Sequence, residues 1–219
     1  VTTLLLIALG LGLSPLAGPE VDLGLSPLGS QAVDTIPPPP EAIPGLLASD
    51  EGRTAAMTGI RHLAIERPEA EATLWTQLFA LASAASPPAS VLAAESLVGA
   101  VAQPDLDGGA RIEARLDDFE AEDRLPLLAF AALLSDRVDA ARAAVLRARF
   151  VEESPDLLEG PAQGFEVRVR LARHLAGPGG DRAAAAEMLR EVILAGANHP
   201  VAPEARRLLS EIGNPGDDS

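Results

Sequence analysis

Leu125-Pro126-Leu127-Leu128-Ala129-Phe130-Ala131-Ala132-Leu133-Leu134 runs through Ser135-Asp136 into Arg137-Val138-Asp139-Ala140-Ala141-Arg142-Ala143-Ala144-Val145-Leu146-Arg147-Ala148-Arg149-Phe150-Val151-Glu152, and the unit stops at Ser154-Pro155. This pattern predicts an apolar helix over 125–134, a turn and cap at Ser135-Asp136, and an alanine-rich partner helix over 137–152. On the partner, Ala141, Ala144, Val145, Ala148 and Val151 share one face, expected to be the buried one. Arg142, Arg147 and Arg149 lie off that face, and Pro155 ends the unit because proline cannot continue a helix. The same order of parts returns from about Val167 to Pro200. Val167, Leu171, Ala172 and Leu175 form the first apolar side, Gly177-Pro178-Gly179-Gly180 turns the chain, and Asp181 is placed to cap the next helix. That helix carries Ala185, Met188, Leu189, Val192 and Ile193 as one stripe and stops at Asn198-His199-Pro200. A last helix starts at Pro203-Glu204, buries Ala205, Leu208, Leu209 and Ile212, and ends at Gly213-Asn214-Pro215; the acidic tail 214–219 is expected to be disordered.

The two hairpins and closing helix, about residues 125–213, resemble tetratricopeptide repeats. The family's Leu-small pair of the first helix is matched by Leu128-Ala129 and Leu171-Ala172. Its turn, small residue and closing proline are matched by Gly180-Asp181, Ala185 and Pro200, and by Asp136, Ala141 and Pro155. Leu171 follows Leu128 by 43 residues, against about 34 in the family, the excess lying mostly in 159–164. The resemblance implies antiparallel helical hairpins stacked as a short α-solenoid whose first helices line a concave binding surface. It also implies that Arg170, Arg173 and His174, clustered opposite the apolar stripe of 167–176, could clamp a carboxylate or acidic peptide. Pairing with nearby acids of the same chain is the competing reading.

Upstream, the region 49–124 reads as further helices, which must complete the core because one hairpin cannot bury its apolar side alone. A helix from Ser49 or Asp50 to Glu66 buries Ala56, Ile60, Leu63 and Ala64. A second, over 69–85, carries Leu74, Leu78, Leu81 and Ala85, flanked by Trp75 and Phe79. Pro88 opens a third running to Ala102, and a fourth is expected over 110–121. Before these, Ile36-Pro37-Pro38-Pro39-Pro40 favours an extended polyproline segment, so 19–48 is expected to be a semi-rigid spacer. Residues 1–18 hold an uncharged apolar run, Leu4 to Leu13, that is too short to span a bilayer. It is expected to be a signal peptide or an N-terminal anchor, although the first basic residue is Arg53. The hexapeptide Leu-Gly-Leu-Ser-Pro-Leu, at 11–16 and 23–28, reads as low-complexity duplication or a short docking motif.

Composition narrows the chemistry. The chain has 219 residues, 47% of them hydrophobic but only 3% aromatic, with no cysteine. No sustained alternation signals strands, so the fold class is all-α. A net charge of −15 repels nucleic acid, and without cysteine there is no disulfide, thiolate or Cys-ligated zinc. Asp105-x-Asp107-Gly108-Gly109 opens like a calcium loop but lacks the later ligands, since Gly109, Ala110 and Leu116 stand in their places. His62, His174 and His199 are scattered, and the acids from Asp117 to Asp123 read as a solvated helical surface or a dock for a basic partner. No catalytic residue, metal ligand or cofactor is expected. The whole predicts a non-enzymatic protein–protein interaction module, exported to the cell envelope of a bacterium, periplasmic or membrane-anchored. A structural subunit of a larger envelope complex is the alternative. Expected partners are other proteins, with self-association open, and the membrane only through an uncleaved N-terminal segment.

Overall fold

Side-chain caps set several of the helix boundaries. The computed structural model describes residues 36–158, 160–161 and 163–213. The segment 1–18, both hexapeptides, the first part of the spacer and the tail 214–219 lie outside the described residues. Among the described residues every regular element is helical, and residues from Ile36 onward cluster as one unit. Ser49 caps α2 (Asp50–Glu66) by accepting from the Gly52 N–H. Asp139 and Asp181 do the same for α7 (Ala140–Glu153) and α9 (Arg182–Ala195), each cap contributing about 1 kcal/mol. Prolines open α4 (Pro87–Ala102) and α10 (Ala202–Ile212), where a missing N–H costs nothing. α3 (Glu69–Ala84) follows Pro68 directly, and α8 spans Gly164–Leu175.

Four sequence expectations are corrected. Residues 40–47 are not spacer. A 3₁₀ turn, Pro40–Ala42, leads into a short helix α1 (Ile43–Leu47), and Ile43 and Leu47 are fully buried. Proline forbids a helix interior but suits a first turn, and Pro40 and Pro44 both stand in one. Pro38 packs on Gly59 of α2, where an added Cβ would come within 2.7 Å of the proline ring. Second, the helix expected over 110–121 is a short α5 (Gly108–Glu113) followed by a 3₁₀ turn at Leu116–Asp118.

Third, the acids 117–123 are largely solvated, with Asp117, Asp118, Glu120 and Glu122 exposed, but they span a 3₁₀ turn and the start of the next helix rather than ending a single one. Asp117 pairs with Arg149 at 2.9 Å and Asp118 with Arg115 at 3.1 Å. Asp123, in the first turn of α6 (Ala121–Ser135), accepts from the Ser86 N–H and hydroxyl at the start of α4. Fourth, α7 is rotated relative to expectation, and its cap is Asp139, not Asp136. Ala143, Ala144, Leu146, Arg147 and Phe150 are buried, whereas Val145 is 63% exposed and Ala141 and Ala148 are exposed. Both faces are apolar, but only one carries a leucine and a phenylalanine, each worth about 1.5–3 kcal/mol on burial.

α4 is the hub of the first half, packing against α1, α3, α5 and α6. Its buried face is Ala89, Leu92, Ala93, Ala94, Leu97 and Ala100, small enough to let neighbours approach. α5 lies close on α6. Asp107 caps α5 and also accepts from the Ser135 hydroxyl, at 2.8 Å, so Ser135 Oγ and the Ala131 carbonyl press on Gly109, leaving no space for a Cβ. From α6 onward each helix packs on the one before it, and α10 also reaches α8. A core of α1–α7 residues that includes Val167 of α8 is followed by a smaller one of Val169, Ala172, Ala185, Leu189, Val192, Ala205 and Leu208.

Candidate interaction site

α8 stands between these two cores, and its sequence alternates accordingly. Val167 reaches one core and Val169 the other. Between them Arg168, 2% exposed, donates to the carbonyls of Ser154 at 2.6 Å and Pro155 at 2.8 Å, beyond the end of α7. Burial pulls its guanidinium below the usual arginine range, while the charges of Glu191 and Asp156 act the other way. Arg168 thus ties α8 to the chain that leaves α7, which fixes the spacing of the two hairpins.

That spacing leaves a cleft. One wall is the i, i+3, i+4, i+7 face of α6: Pro126, Ala129, Phe130 and Leu133. The opposite wall has the same spacing at the start of α8: Gln163, Glu166, Val167 and Arg170. Gln77 and Leu81 of α3 close one side and Arg147 of α7 lines the cleft as well. The enclosed part measures about 30 Å³, room for a water-sized group. Arg147 is 4% exposed; one terminal nitrogen pairs with Asp136, and none of its nitrogens is among the buried polar atoms left without a partner. Arg170 holds Glu166 through Nε at 3.1 Å and Nη2 at 2.8 Å, and its Nη1 lies 3.6 Å from Asp136. Two guanidiniums and two carboxylates therefore form one neutral chain along the cleft.

The predicted cluster divides. Arg170 lines this cleft and also an adjoining one of about 220 Å³, with Glu166, Val169, Arg173, Val201 and Glu204. Arg173 lines only the second and pairs with Glu204. His174 is exposed and lines neither. Arg147 escaped sequence reading because it was placed on the solvent side of α7; the signal that finds it is its position between Leu146 and Phe150.

Other candidates are occupied structurally. Both Asp107 oxygens are engaged, by the α5 cap, by Ser135 and, at 3.2 Å, by Arg142. His62 pairs with Glu66, and His199 stacks on Phe165 with centroids 4.5 Å apart. Among the described residues no group of three or more His, Asp or Glu converges as a metal site. Nor is any helix among them long and apolar enough to cross a membrane. Comparison with protein-family models, with curated proteins and with solved structures finds no match to this chain.

Proposed function

We propose that this chain is a non-enzymatic protein–protein interaction module whose α6–α10 region is a short, tetratricopeptide-like α-solenoid, acting in the cell envelope. The observation that carries the reading is the cleft where the α6–α7 hairpin meets α8. Four helices contribute to it, Pro126, Ala129 and Leu133 on its walls are half-buried, and the buried Arg147 and the half-buried Arg170 both line it. Sequential packing from α6 to α10 supports the solenoid, since such arrays contact chiefly their neighbours. The module reading is tested by affinity capture with the full chain at near-physiological salt, beside an Ala129→Phe variant that fills the cleft mouth. A partner held by the wild type and lost from the variant is the expected result. Identical captures from both, or bait alone, would overturn it.

A second reading, a subunit packed into a larger assembly, is favoured by one feature. Val138, Ala141, Val145 and Ala148 of the α7 region form an exposed apolar stripe at helical spacing. Light scattering of the purified chain decides it, because a monomer at micromolar concentration counts against self-assembly.

A further inference from the structure

Taken as a subunit of an assembly, the second reading above and the one on which this inference rests, the chain has a helix face that its own elements leave bare. α7 turns Ala143, Leu146 and Phe150 inward and packs on α6 and α8. Its outer side carries Ala141, Val145 and Ala148, extended by Val138 in the turn before it; Val138 is 46% and Val145 63% exposed. Steps of four and three residues are the spacing of a two-helix seam. The charges at the ends of the stripe say what fits it. Of the charged residues from Asp136 to Glu153, only Arg137 and Glu152 form no ion pair among the described residues. Both are exposed, Arg137 directly before Val138 and Glu152 one turn beyond Ala148. Arg137 donates to the Ala100 carbonyl at 3.3 Å, a neutral acceptor that leaves its charge without a counter-ion.

We propose that this face is the seam of an antiparallel homodimer, α7 against α7 of a second copy. A cation at one end and an anion at the other make the stripe complementary to itself. A parallel second copy would set arginine on arginine and glutamate on glutamate. Turned about a two-fold axis beside Val145, it sets each Arg137 toward Glu152 of the other copy, so one favourable pair becomes two. The valines and alanines lie between those pairs. The stretch from 137 to 152 is about 20 Å long at 1.5 Å per residue. One helix per copy makes a small interface, so the dimer is weak, with a dissociation constant of about 10–100 μM.

The test is analytical ultracentrifugation of the full chain over a concentration series reaching several hundred micromolar, with thermal unfolding of each variant as the check on folding. The wild type is expected to pass from monomer to dimer. Val145→Asp is expected to abolish the dimer without shifting the unfolding transition, because the side chain is exposed. Arg137→Glu and Glu152→Arg each turn two attractive pairs into two repulsive ones. Each alone is expected to weaken the dimer about tenfold. The two together restore opposite charges across an antiparallel seam and are expected to bring the affinity back to within about threefold of the wild type. A parallel seam would gain nothing from the double reversal, so a double variant no better than the singles overturns the proposal. A dimer indifferent to all four variants also overturns it, while the assembly reading stands. A chain that stays monomeric throughout removes the seam and self-assembly alike.

Discussion

Replacing Phe150 by alanine tests the packing that creates the cleft. Phe150 is fully buried in the first core, and its ring edge faces the start of α8 near Gly164. Truncating a fully buried phenylalanine costs about 3–5 kcal/mol, from lost transfer energy and the cavity left behind. For a domain of this size each kcal/mol moves Tm by about 2–4 °C, so Phe150→Ala should lower it by about 6–20 °C. Val145→Ala, on the face expected from the alanine pattern, removes atoms from a side chain 63% exposed. Its effect should stay within about 0.5 kcal/mol. Trp75, the single tryptophan, is fully buried in the same core and reports unfolding directly by fluorescence in urea. If Val145→Ala proves as damaging as Phe150→Ala, the rotation of α7 is wrong, and with it the burial of Arg147.

The same packing sets four more expected outcomes. Gly109→Ala forces a Cβ against Ser135 Oγ and the Ala131 carbonyl, and should destabilise by about 1–3 kcal/mol in urea unfolding. Arg168→Met strips the donors from the Ser154 and Pro155 carbonyls; a loss of about 1–3 kcal/mol is expected, with faster amide exchange at the start of α8. Asp123→Ala removes the acceptor of the Ser86 N–H at 2.9 Å and should cost about 1 kcal/mol in thermal unfolding. Burial pushes the Glu153 carboxyl up, but hydrogen bonds from Arg124 and Arg149 outweigh it and hold the group below its ordinary value of 4.5. Its contribution is therefore present above the unfolded pKa and is lost as pH falls through the lower folded one. Glu153→Gln should flatten the acid limb of a stability-versus-pH curve below about pH 4.5, and an unchanged limb would contradict the assignment.

Reading the sequence went furthest where a boundary depends on one or two residues. Ser49 and Asp181 mark helix starts through their own hydrogen bonds, and Pro88 falls in the first turn of α4 as its ring geometry requires, so no tertiary information was needed. The stripes of α9 and α10 were also legible, because each helix has one dominant apolar face. α7 was not. Alanine and valine on one side and leucine and phenylalanine on the other give two workable faces, and periodicity ranks neither. The prolines before α1 misled for a related reason: they constrain the backbone locally, but say nothing about whether Ile43 and Leu47 find a core to enter. The candidate site was half visible. Arg170 stood out as a cation on α8, yet its neighbour in space, Arg147, is 23 residues away in the chain and looked like any other surface arginine.

The helical class of the described residues, the position of most of their turns and the acid excess of the chain were all written in the order of residues. Those properties arise from nearest-neighbour chemistry: capping, ring constraint, helical spacing and net charge. Packing in three dimensions settled the rest: which face of α7 is covered, that residues 40–47 join the core, and that Arg147, Asp136, Arg170 and Glu166 meet as one neutral chain. Each of these depends on which distant surface competes best for burial, a quantity that no local window of residues contains.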